Sequence, residues 1–299
     1  MAKKSPTAAW AEYAALRCAC AIVNAVPYPL ACMCARWMAW CAFNVFGLKR
    51  KRTLARIGGC FPEKSAREVR RIAVTSLANV LMSVVEMIRA PKLDRAWIEK
   101  HVKDVHVYAS RLKAIADEGK GVVIMVPHSG NWYMAAWAMA RCGVPLFAIA
   151  AKQRNKHIDA WMNRQYGDGL DVVQRGSARV MAEIKSRLED GQCFAILPDL
   201  RVPTKDVEVP FLNGTANVSH GGAMFAAAVG SPVVVAIMRR ENGLHTFDHL
   251  GTLRPDPAAD RKQEAERLTR EAMALIDEAV RKTPEYWFWY NKRWILQPV

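Results

Sequence analysis

No Gly-x-Ser-x-Gly elbow occurs in the 299 residues, so the strand-to-helix turn that seats the nucleophile of serine hydrolases is absent. A glycine-rich phosphate loop is missing too, as is the aromatic set of RNA-binding sheets, so no motif supports a nucleic-acid partner. Internal repeats and low-complexity tracts are also lacking. Acid is scarce at the front. Residues 1–52 hold eight Lys/Arg and a single Glu, a net of +7, and residues 53–100 hold nine Lys/Arg against five acids, so +11 of the overall +15 falls in the first third. A basic front end suits an anionic surface such as lipid headgroups or an acidic carrier protein.

Unbroken apolar runs are wanting near the N-terminus as well. Residues 18–35, CACAIVNAVPYPLACMCA, carry no charge, but Asn24, Pro27 and Pro29 interrupt them. Eighteen uncharged residues are borderline for a spanning helix. Two prolines favour a broken helical pair. Arg17 and Arg36 close the two ends and KRKR follows at 49–52, which leaves no clean positive-inside bias. The preferred reading is a monotopic hairpin or interfacial helix pair over residues 1–52, ahead of a second domain at 53–299. A single-pass anchor and a soluble helical cap are the alternatives. Eight cysteines are present, five of them in this segment. The chain is long and not loop-rich, which argues against a disulfide framework and for reduced thiols facing the cytoplasm. The Cys-x-Cys pairs do not read as a metal site, because residues two apart on a helix point about 200° apart.

Residues 65–90 carry the clearest helix. Ser65 and Glu68 make a capping-box pattern, and Val69, Ile72, Leu77, Val80, Leu81, Val84 and Ile88 recur at three and four. Glu86 falls near this stripe, either as a solvated edge residue or as a partner in a substrate or structural pair. From residue 121 onward, short apolar runs (GVVIMVP, PLFAIA, DVV, CFAILP, VEVPF, PVVVAIM) alternate with amphipathic segments, and a long helix follows near 258–282. The alternation predicts an α/β fold with a mainly parallel sheet flanked by helices.

In such sheets ligands bind at the carboxyl ends of strands, and His128 sits at one, directly after VVIMVP. Ser129, Gly130 and Asn131 open the next helix, whose free N–H groups favour an anion or oxyanion. An imidazole there can accept a proton near neutral pH, so His128 is either catalytic or a packing residue of the loop.

The stretch PHSGNWYMA, residues 127–135, resembles the His-x4-Asp/Glu region of the lysophospholipid acyltransferase superfamily. The branch it resembles is that of the lipid A late acyltransferases of lauroyl/myristoyl type, with the related mycobacterial phosphatidylinositol mannoside acyltransferases. Three further segments, in the same order, resemble that branch: RIGGCFPEKSAREVRRI, PDLRVPTKDVEVPFLNG and TPEYWFWYNKRW. Together the segments cover most of the chain. The resemblance implies a glycerolipid acyltransferase-like fold. It implies transfer of a fatty acyl chain from acyl-ACP or acyl-CoA, as co-substrate, to a hydroxyl of a membrane glycolipid, with a lipid A precursor as the first expectation. No cofactor and no metal are implied. Acyl carrier protein and an anionic membrane surface are the expected partners, at the cytoplasmic face of the bacterial inner membrane.

Site roles follow from the same resemblance. His128 would be the general base, and backbone N–H groups at Ser129, Gly130 and Asn131 would meet the oxyanion. The family places Asp or Glu where Tyr133 stands, and a phenol with a pKa of about 10 cannot supply that charge at pH 7. Three explanations are open. Another carboxylate supplies it, Glu208 first and Asp199 second; Tyr133 orients His128 through its hydroxyl; or the site is impaired and the protein is a lipid-binding scaffold. Glu208 is preferred because the mannoside acyltransferases resemble this chain in VEV and place a glutamate beside the histidine. A lipid or thioester hydrolase is a further alternative. For substrate binding, Lys152 falls where the lipid A branch has a functional arginine, Arg154 is two along, and Arg164 matches a later one.

Overall fold

The computed structural model describes residues 5–166, 170–176 and 179–297. Ser5 caps α1 (Pro6–Ala25) by accepting the Ala8 N–H, with Pro6 in the first turn. Pro27 then stops the chain from continuing as helix, and Pro29 falls in the first turn of α2 (Tyr28–Asn44), where a missing N–H costs nothing. The two prolines therefore make the broken helical pair that the sequence predicts. Next come α3 (Arg50–Cys60) and α4 (Ala66–Arg89). Because α3 runs through residue 52, the expected boundary there falls inside a helix.

Small residues let α2 approach α4 closely: Ala31, Cys32 and Ala35 are buried with Met82 and Val85. The other side of α2 is bare. Met33, Trp37, Met38 and Trp40 are each more than half exposed, and Phe46 just beyond them is 81% exposed. Arg50, Lys51 and Arg52 are exposed at its end. Within each Cys-x-Cys pair one thiol is buried and the other exposed, so the two point apart as the helical angle requires. Among the described residues, one helix is long and apolar enough to cross a membrane, 66–92, and 61% of that stretch is buried inside the protein. It contains α4, a core helix whose Ser65–Glu68 capping box forms in both directions. A single-pass anchor through α1 or α2 thus has no helix that passes the same test.

After α5 (Arg95–His101) and α6 (Val105–Ala116) the chain alternates: β1 (Val122–Met125), α7 (Trp132–Arg141), β2 (Leu146–Ala150), α8 (Lys156–Tyr166), β3 (Leu170–Gln174), α9 (Val180–Glu189) and β4 (Cys193–Ile196). A hairpin of β5 (Val207–Phe211) and β6 (Gly214–Val218) interrupts, before α10 (Gly221–Val229), β7 (Val233–Glu241), β8 (Leu244–Leu253) and α11 (Arg261–Lys282). The main sheet has six strands in the order β3-β2-β4-β1-β7-β8, parallel except for the antiparallel edge strand β8. All four residues of β1 are buried because the sheet is covered on both faces. Val122 and Ile124 face the core under α6 and α7; Val123 and Met125 face the core that α9, α10 and α11 cover. The α/β expectation and its mainly parallel sheet are met, and the strand ends that matter for function are those of β1 and β4.

Candidate active site

Strand register places two side chains together. Met125 and Ile196 are the last paired residues of β1 and β4, and the Val126 N–H still reaches the Ile196 carbonyl. Two parallel strands that leave the sheet in step put equivalent positions side by side. Three residues past that pair stand His128 and Asp199. The His128 Nδ1 lies 2.7 Å from Asp199 Oδ1, the His128 backbone N–H donates to Oδ2 at 2.8 Å, and the Trp287 indole N–H donates to Oδ2 at 2.7 Å. Asp199 is 3% exposed. Burial pushes its carboxyl up, but the facing His128 and these hydrogen bonds outweigh it and hold the carboxyl below the usual range. An ionised carboxylate only accepts, so Nδ1 carries the proton in the neutral imidazole and Nε2 keeps a lone pair. Trp132 stands edge-on to the ring at 5.1 Å between centroids.

His128 lines a cavity of about 590 Å³ that wraps the carboxyl edge of the sheet. Under α6 and α7 its walls are mostly apolar and often small, Ile124, Ala135, Ala136, Met139 and Ala148, with Arg111 and His249 also lining it. On the other side of the strands lie Ile184, Ile196, Leu200 and Phe225, with Arg175, Arg201 and Arg293 among the lining residues. The volume suits an acyl chain.

Three of the sequence's expectations need correction. Glu208 does not meet the imidazole. It lies on β5, where Val207, Val209 and Phe211 take the buried face, so pleating turns Glu208 outward; its carboxylate is half exposed and faces Lys205 at 3.9 Å. The backbone N–H groups of 128–130 are not open to an oxyanion. Those of His128, Ser129 and Gly130 go to Asp199, to the Pro127 carbonyl and to the Tyr286 carbonyl. Donors near the ring are left in the first turn of α7, where N–H groups have no helical acceptor. Lys152, Arg154 and Arg164 do not line this cavity either. The first two are exposed in the loop after β2, beside a small pocket that also involves Glu12, and Arg164 is exposed on α8.

Tyr133 lines the apolar part of the cavity, half-buried between Trp132 and Trp137, and burial pushes its phenol up. The Nδ1–H of His128 donates to Asp199, not to Tyr133. The side chain of Ser129 is buried with its hydroxyl unpartnered, and Asn131 caps α7 by accepting the Met134 N–H. The role of Trp287 escaped sequence reasoning, although it lies in the quoted TPEYWFWYNKRW segment. Arg175 and Arg201 could have been found by asking which basic residues follow strand ends, as β3 ends at Gln174 and Asp199 is two residues from Arg201.

Gly130 shows why the turn tolerates no side chain. Its φ is +58°, and a Cβ would lie 2.1 Å from the Met238 carbonyl oxygen. Gly130→Ala should therefore cost about 1–2 kcal/mol for the left-handed backbone and about 1–3 kcal/mol for overpacking against a strand. A urea midpoint equal to the parent's would contradict this.

Comparison with known proteins points the same way. The chain matches the family model described as bacterial lipid A biosynthesis acyltransferase over residues 2–295. A phosphatidylinositol mannoside acyltransferase of Mycolicibacterium smegmatis is 23% identical over 255 residues, covering 82% of this chain and 78% of the relative. One from Mycobacterium tuberculosis is 24% identical over 220 residues, 67% of this chain and 69% of its own. Lipid A biosynthesis acyltransferase 2 of Shigella flexneri is 29% identical over 132 residues, 42% and 41% of the two chains.

Proposed function

Because the chain belongs to the bacterial lipid A biosynthesis acyltransferase family, we propose that it moves a fatty acyl group from an acyl thioester, acyl-ACP or acyl-CoA, to a hydroxyl of a membrane glycolipid. The observation that carries this reading is the His128–Asp199 pair at the edge of an apolar cavity. In the reaction, Nε2 of His128 takes the proton of the acceptor hydroxyl while its oxygen attacks the thioester carbonyl. The C–S bond of the tetrahedral intermediate then breaks, and the thiolate leaves with the proton that His128 returns. Asp199 keeps the imidazole in the tautomer that can accept and stabilises the imidazolium that forms. The acyl chain lies in the slot under α6 and α7. First-turn N–H groups of α7 or the Arg201 guanidinium meet the oxyanion. A lipid A precursor and a phosphatidylinositol mannoside are the two acceptor classes, since relatives of both names match.

Labelled palmitoyl-CoA and palmitoyl-ACP, each offered with vesicles carrying either acceptor, test the proposal. Transfer of label to lipid is expected. Label released only as free fatty acid would favour the hydrolase reading, and no turnover at all would favour the impaired scaffold.

The enzyme works, in this reading, at the cytoplasmic face of the inner membrane, with the bare side of α2 in the headgroup region and Arg50–Arg52 on anionic lipid. Met33→Glu, Trp37→Glu and Trp40→Glu together leave the α4-facing side of α2 intact. Each removes a contact worth about 1.5–3 kcal/mol when fully buried, so the triple variant should stay in the supernatant when anionic vesicles are sedimented, at low and high salt alike. Unchanged co-sedimentation would place the anchor elsewhere.

A further inference from the structure

Glu86 is fully buried in the last turn of α4, and four elements bring it a donor. Arg240 of β7 donates to both carboxylate oxygens at 2.8 and 2.9 Å, and His245 of β8 lies 3.0 Å away. Tyr28 of α2 donates its hydroxyl, and Asn131, the cap of α7, donates its amide at 2.6 Å. A buried ion cluster of this kind is a poor way to gain stability, because well-packed apolar residues of the same volume do as well or better. Its place suits another purpose.

Asn131 makes two bonds of opposite sense. Its Oδ1 accepts the Met134 N–H at 3.0 Å, and its Nδ2 donates to Glu86. A flipped amide would turn N–H against N–H at the cap. Glu86 thus decides which way the amide faces, and the amide fixes the start of α7 three residues after His128. The same face of α4 meets the neighbouring backbone: the Ser83 hydroxyl lies between the Asn79 carbonyl at 2.9 Å and the Gly130 carbonyl at 3.3 Å, and Asn79 donates to the Glu285 carbonyl.

We propose that Glu86 is a positioning residue for acyl transfer, acting through Asn131 on the His128 turn. The inference rests on His128 being the base. A displacement of about 1 Å in such a group costs on the order of 10²-fold in turnover.

An amide–carboxylate exchange tests it. Glu86→Gln and Asn131→Asp each break the bond: in the first, Tyr28, Arg240 and His245 hold the amide oxygen at the Oε1 position and turn its NH₂ against the Asn131 NH₂, and the second faces two carboxylates. The double variant restores a donor–acceptor pair with the senses reversed and the net charge kept. With palmitoyl-CoA and the glycolipid vesicles, each single variant should lose on the order of 10²-fold in kcat with KM little changed. Hydrogen exchange in residues 128–137 should quicken in both, and the double variant should recover both readouts. A double variant no better than the worse single, or a folded single variant with parental kcat, overturns the proposal. If Glu86→Gln does not fold, Asn131→Ser decides: serine still caps Met134 but withdraws the amide from Glu86 and leaves the Arg240 and His245 contacts alone. Parental kcat and exchange in that variant overturn the proposal as well. His128→Ala is assayed beside them: if it retains turnover, the base assignment has failed rather than the positioning role.

Discussion

His128→Ala is expected to lower acyl transfer on the order of 10⁴-fold, the upper end of what a positioned base supplies, while the fold survives. Survival follows from the partners of Asp199. The His128 backbone N–H and the Trp287 indole still donate to Oδ2 after the imidazole is gone, so the buried carboxylate is not stranded. Circular dichroism and a thermal melt should match the parent closely, and transfer from labelled thioester should fall to background. A folded variant with near-parental turnover removes His128 from the chemistry.

Asp199→Asn should be nearly as damaging, on the order of 10³–10⁴-fold, for a reason the hydrogen bonds dictate. Two donors, the His128 N–H and the Trp287 indole, point at the Oδ2 position, so the introduced amide must place its oxygen there. Its NH₂ is then forced toward the imidazole, where Oδ1 now accepts from Nδ1. Nδ1 becomes the acceptor, Nε2 takes the proton, and the ring presents an N–H to the hydroxyl it should deprotonate. Glu208→Gln changes a half-exposed side chain facing Lys205 and should be close to silent. Steady-state kinetics giving the reverse order, Glu208→Gln severe and Asp199→Asn mild, would overturn the assignment of Asp199.

Local signals were legible in the sequence. Pro27 and Pro29 divide the front helices where the composition indicates, the Ser65–Glu68 box starts α4, and the apolar runs after residue 121 are the strands. The position of His128 just past the end of β1 was legible as well, and strand ends in parallel sheets are where ligands bind. The choice between Asp199 and Glu208 was not, since it depends on β1 and β4 being neighbours in register, and register is a tertiary property. The period-two burial of VEVPF did contain the warning that Glu208 faces outward. Glu86 shows a different limit. One acid in an apolar stripe reads equally well as solvated or buried, and only the arrival of Arg240 and His245 from strands more than 150 residues away separates the two. Lys152, Arg154 and Arg164 were placed by likeness to the family alone, and the fold lines the cavity with other arginines.

The chain segment after α11 has a consequence for the order of events during synthesis. Tyr286, Trp287 and Phe288 close the histidine turn: the Tyr286 carbonyl takes the Gly130 N–H, the Trp287 indole holds Asp199, and the Phe288 N–H donates to the His128 carbonyl. These residues are synthesised after every strand of the sheet, and well after α2 with its uncovered tryptophans. The nascent protein therefore presents the bare apolar side of α2 while His128 and Asp199 still lack their last clamp. The arrangement of the His128–Asp199 pair is complete only when the segment after α11 docks.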